Sequence, residues 1–221
     1  MEPITSTLLF IHIAAGTLTL FSAAVAIVSK LGDMAHVWHF YSGRLYFFGM
    51  LGIFLTGLGM SIIRFNPPML FVSIFSFYFA WIGRRYAINR KGNPSQLDKI
   101  VIPSMLAIFV GMVLYGLYAS FLLGESFAIV IIVFGIIGVL NARVDWQILQ
   151  EGGVKGKRRI AEHLGRMLGG TIAAITAFLV VNVHYEPAFI VWLLPTFLLT
   201  PIIYIWSKKI NEGVTRKGMS G

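Results

Sequence analysis

Five histidines are the residues of this chain best suited to carry chemistry, at positions 12, 36, 39, 163 and 184. Two of them, His12 and His39, are followed four residues later by glycine, Gly16 and Gly43. On a helix an i+4 residue shares the face of residue i, so a glycine there leaves a flat recess beside the imidazole. A porphyrin edge fits such a recess, and histidine pairs between helices are an established way to hold haem b. The same glycines also suit close helix packing, with each histidine hydrogen-bonded across a helix interface. Candidate haem or metal ligands are therefore His12, His39 and His163, with Gly16, Gly43, Arg44 and Arg166 beside them as candidate cofactor-binding positions. His36 and His39 stand in i, i+3 spacing and, with Glu162-His163, invite a zinc or iron reading. Trp38 between them suits a plain interfacial anchor instead.

Other chemistries are excluded or unsupported. The chain has no cysteine, which removes disulfides, thiolate catalysis, iron–sulfur clusters and Cys-ligated zinc. The long apolar runs hold no Asp, Glu or Lys away from their ends, which argues against an ion-coupled pump. Lys208 and Lys209 follow the last apolar run, so no Schiff-base lysine is placed for retinal. Glu125 and Glu186 fall in short connections and form no catalytic carboxylate pair.

The elements that must position these residues are membrane helices. Of 221 residues, 57% are hydrophobic and 12% charged, against roughly a quarter charged in an average soluble domain. Mean hydropathy is +0.80. Apolar runs of about 20 residues, enough to span a bilayer, fall at 7–29, 45–63, 65–83, 100–124, 126–142, 167–185 and 187–207. The expected fold is all-α: one seven-helix transmembrane domain over residues 1–207, then a short basic tail at 208–221. With the N-terminus outside, all of the 18 basic residues except Arg64 lie on the inner side, so the chain reads as N-out and C-in. Arg44, Arg84, Arg143 and Arg166 gather on that inner face, where they suit lipid phosphates or a bound anion. No basic segment or cleavage pattern accompanies the first run, which reads as a retained helix. The net charge of +9 is topological, and nucleic acid is not an expected partner.

On this topology the histidines form two tiers about 24 Å apart along a helix. His12 and His184 belong to the outer tier, and His36, His39 and His163 to the inner. Ser42-Gly43-Arg44 and Leu164-Gly165-Arg166 open the second and sixth helices alike. If the two are pseudo-equivalent, His39 and His163 converge with Arg44 and Arg166, and Gly43 and Gly165 lie at a helix contact. Asn141 and Asn182 are expected to bond across helices.

His12-Ile13-Ala14-Ala15-Gly16 and His39-Phe40-Tyr41-Ser42-Gly43-Arg44-Leu45-Tyr46 resemble the H-x-x-x-G and H-x-x-x-G-[RK]-x-Y signatures of a bacterial family of predicted membrane proteins, a domain of unknown function. The second half, from His163-Leu164-Gly165-Arg166-Met167 to Asn182 and Trp192-Leu193-Leu194-Pro195, looks like the version found in Bacteroidota. The resemblance touches about four of the seven helices. It implies a multi-pass protein of the bacterial inner (cytoplasmic) membrane and marks His12, His39, Gly43, Arg44, His163, Arg166 and Asn182, but not His36 or His184. It implies no reaction. Two functions follow from the whole. The first is a non-catalytic membrane subunit or scaffold, binding lipid or a partner protein through glycine-rich helix faces. The alternative is a b-type haem protein that transfers electrons through histidine ligands.

Overall fold

In the computed structural model, residues 3–32, 36–125 and 127–212 are described. They form seven helices: α1 (Pro3–Leu31), α2 (His36–Ile63), α3 (Pro67–Ile88), α4 (Gln96–Leu122), α5 (Ala128–Gln150), α6 (Gly156–Asn182) and α7 (Phe189–Glu212). Among the described residues there is no strand. Six of the helices are long and apolar enough to cross a membrane, and α3 is not among the six. Its composition explains this. It carries Ser73, Ser76, Tyr78, Trp81, Arg84 and Arg85 within 22 residues. It is also an inner helix, packed on α2, α4, α5 and α6, so little of it needs an apolar outer surface.

Several helices are longer than the apolar runs. α2 starts at His36 and α6 at Gly156, each well before its run, so His36, His39 and His163 are all on helices and not in connections. α5 runs on to Gln150 and takes Arg143 and Asp145 with it. α7 continues to Glu212, through the first residues of the expected tail; residues 213–221 lie outside the described part.

Two apolar clusters hold the bundle. The larger joins α3, α4, α5 and α7 and is built on aromatics. Phe75 stacks on Phe134 at 5.1 Å, and Phe109 meets Phe75 and Tyr78 edge-on at 5.9 and 5.4 Å. Such offset and edge-to-face contacts add to burial alone. The smaller joins α1, α2, α3 and α6 around Tyr46, Met50, Ala23, Ala80 and Ala174. Glycines let the helices close. A Cβ at Gly49 would stand 2.3 Å from Thr19 Oγ1 of α1, and one at Gly138 2.5 Å from the Phe109 ring of α4. The remaining surface is studded with Phe, Leu, Ile and Val, as lipid-facing helices require.

One end of the bundle is pinned by polar contacts. Ser95 and Asp98 form a reciprocal capping box at the start of α4. Asp98 also accepts two hydrogen bonds from Arg85 of α3, at 2.9 and 2.6 Å. Arg159 of α6 donates to the carbonyls of Tyr86 and Ala87, which lack partners at the end of α3. The two connections on this side touch. Gly153 has φ of +110° and a Cβ there would lie 1.7 Å from the Gly92 carbonyl oxygen, so the approach admits glycine only.

Candidate functional site

His39 and His163 meet at this same end of the bundle. Their ring centroids are 6.4 Å apart and their planes lie at 89°. Each ring is oriented by a different neighbouring helix. His39 Nδ1 donates to the Ala26 carbonyl of α1 at 3.1 Å, and His163 Nδ1 donates to the Gly83 carbonyl of α3 at 2.9 Å. A carbonyl only accepts, so in both rings Nδ1 carries the proton. With Nδ1 committed to a carbonyl, Nε2 is the atom through which each ring could hold a metal, the arrangement metal-ligating histidines ordinarily have. Among the described residues neither Nε2 has a hydrogen-bond partner.

The two rings line a cavity of about 320 Å³ between the ends of α1, α2, α6 and α7. This falls within the size range of small-molecule sites. Its walls include Ala23, Gly43, Leu164, Met167 and Trp206, with Lys30 and Lys209 from the last turns of α1 and α7. Gly43 opens onto it: a Cβ there would have nothing within 4 Å. Gly165 would meet only Ile203 of α7, at 3.7 Å. The two glycines therefore do not form the contact between α2 and α6 that the repeated Gly-Arg suggested. Tyr46 makes that connection instead, its hydroxyl donating to the Met167 carbonyl at 3.2 Å.

The arginines diverge as well. Arg44 is exposed and lies over the Phe40 ring at 4.4 Å, away from the cavity lining. Arg166 is 6% exposed and turns into the protein. It pairs with Asp145 at 2.9 Å and Glu162 at 3.3 Å, and donates to the Asn141 side chain at 2.6 Å and the Asn141 carbonyl at 3.3 Å. Asp145, 0% exposed, accepts further from Tyr78 and Tyr86, each at 2.7 Å. This buried acid lies three residues beyond the uncharged run that ends at Ala142, within α5, which continues to Gln150. Asn141 does bond across helices; Asn182 bonds back to Phe178 of its own helix.

The outer tier does not form a pair. His12 Nδ1 lies 2.8 Å from Thr56 Oγ1 of α2, whose own hydroxyl donates to Gly52 at 2.6 Å. His184 is exposed in the connection between α6 and α7, and no hydrogen bond or ring contact joins it to His12 among the described residues. Gly16 meets no neighbour within 4 Å and is not in the cavity wall. His36 is exposed at the first residue of α2. Among the described residues no group of three or more His, Asp and Glu could hold a metal ion, which removes the zinc-type site built on His36, His39, Glu162 and His163.

His39 and His163 are thus two candidate ligands that share a cavity. If one metal ion or haem iron were held here, His39 and His163 would be the two residues to hold it, since their ring centroids at 6.4 Å are close enough for one ion to reach both. No family model, no curated protein and no solved structure matches this chain.

Proposed function

We propose that this is a seven-span protein of a bacterial cytoplasmic membrane, N-out and C-in, that holds one b-type haem between His39 and His163 near the inner face and passes electrons. The observation that carries the reading is the 6.4 Å separation of two imidazoles, each tied through Nδ1 to a backbone carbonyl, at the wall of a largely apolar cavity. Apolar surroundings suit a porphyrin, and Gly43 leaves room for its edge. Held by both His39 and His163, a haem would have no open site for a substrate and would supply electron transfer and not oxygen chemistry.

The orientation rests on the basic residues. Lys30, Arg84, Arg85, Lys155, Lys157 and Lys209 all sit at the helix ends that surround the cavity or on its side of the bundle. A scaffold role draws less support. Glycines that suggested partner-binding faces make contacts within the chain, as Gly49 does with Thr19, Gly135 with Val113 and Gly169 with Phe79.

Purification in mild detergent from haem-replete cells tests the reading. The expected sample has a Soret band and sharp low-spin bands on reduction, at one haem per chain. His39→Ala and His163→Ala each abolish or reshape them. A colourless wild-type sample from such cells sinks the proposal.

A further inference from the structure

The cavity has a chemical polarity. Its walls are apolar around the histidines, and its two cations, Lys30 and Lys209, come from the last turns of two different helices at the same end. Neither ammonium forms an ion pair among the described residues. Lysines at helix ends commonly extend to the membrane surface, and that alone would not single these out. The neighbouring Lys208 provides the contrast. It pairs with Glu212 at 3.5 Å and takes no part in the cavity wall, whereas Lys209, one residue on, lines it with Trp206 and Ile210.

We infer that Lys30 and Lys209 bind the two carboxylates of a porphyrin and so fix its orientation, propionate edge toward the inner face and apolar edge toward Tyr46 and Thr171. This deepens the haem reading and rests on it. Haem b is an amphiphile with one dicarboxylate edge. A cavity with two imidazoles in its wall and two cations at one end matches both features at once. The lysines supply charge and no coordination. Their role is to set which edge of the macrocycle faces the inner side. Carboxylate–ammonium pairs at a membrane surface are partly solvated, so their effect on affinity is modest.

The experiment titrates haem-free protein in a neutral detergent with haemin and, separately, with haemin dimethyl ester, reading the low-spin Soret shift. Wild type is expected to bind the free acid about three- to tenfold more tightly than the ester. K30Q/K209Q is expected to bind both forms with equal affinity and with the wild-type low-spin spectrum, since His39 and His163 are retained. Comparing the two haems on one variant removes the contribution of folding. Equal binding of acid and ester by wild type, or a preference that survives in K30Q/K209Q, overturns the lysine assignment while leaving the histidine site standing. Absence of a Soret shift with either haem in wild type overturns the haem reading itself.

Discussion

Asp145 and Arg166 hold each other at 2.9 Å inside the bundle, and Tyr78, Tyr86, Asn141 and Glu162 are bonded to the pair. Ion pairs taken out of water are stable only when their remaining lone pairs and protons are satisfied, and here they are. Tyr78 and Tyr86 come from α3, Asn141 and Asp145 from α5, and Glu162 and Arg166 from α6, so the cluster ties three helices together. Asp145→Ala leaves Arg166 buried with unmatched charge. It is expected to cost about 3–5 kcal/mol, read as a lowered thermal midpoint in detergent. Replacing the charges and hydroxyls of the cluster together, with Asp145→Leu, Glu162→Gln, Arg166→Leu, Tyr78→Phe and Tyr86→Phe, is expected to recover much of that loss. Equal destabilisation by both variants would show that the cluster stabilises beyond charge balance.

This cluster was only half legible in the sequence. Asn141 stands out in an apolar run, and Arg166 in a Gly-Arg pair. Asp145 was hidden because charge near Arg143 looks like the start of a loop. Hydropathy marks where a helix becomes polar, which is not where it ends. A helix continues while its polar residues find partners on neighbouring helices, as Asp145 does on α3 and α6. The histidine pair was more legible: His39 stands in a His-x-x-x-Gly pattern that marks a ring beside a recess, and His163 precedes a Gly-Arg that mirrors Gly43-Arg44. Its partners Ala26 and Gly83 were not, since a backbone carbonyl carries no residue signature.

Gly43 offers a direct probe of the cavity. Gly43→Ala adds a methyl group into open space on a helix and is expected to be neutral or to stabilise by about 0.5–1 kcal/mol. Gly43→Phe places a ring where the porphyrin edge is proposed to lie. It is expected to lower haem content severalfold while leaving the thermal midpoint of the haem-free protein near wild type. Full haem content in Gly43→Phe would move the ligand elsewhere.

His12 is expected to be spectroscopically silent. Its Nδ1 is bonded to Thr56, and no second histidine meets it among the described residues. His12→Ala should leave the Soret and reduced bands unchanged in position and amplitude per protein. Loss of half the haem would reveal a second centre and restore the two-tier arrangement. Thr56→Val serves as a control, since it removes the same hydrogen bond and keeps the ring.

The absence of cysteine makes the topology testable by single introduced thiols. Asn93 is exposed in the connection between α3 and α4, and only its backbone carbonyl is bonded, to the Asn89 side chain at 2.8 Å. Phe65, at the opposite helix ends between α2 and α3, is 89% exposed. Three residues after Ile62 the chain turns sharply there, before Asn66 caps α3. In intact cells an impermeant maleimide is expected to label Phe65→Cys and to spare Asn93→Cys until the membrane is opened. α3 lies between these two positions, so opposite accessibility also requires α3 to cross the bilayer. That is the span that composition alone leaves out, because a helix enclosed by its neighbours needs little apolar surface of its own. Labelling of both positions from outside would leave α3 on one side of the membrane. Labelling of Asn93→Cys alone would invert the orientation.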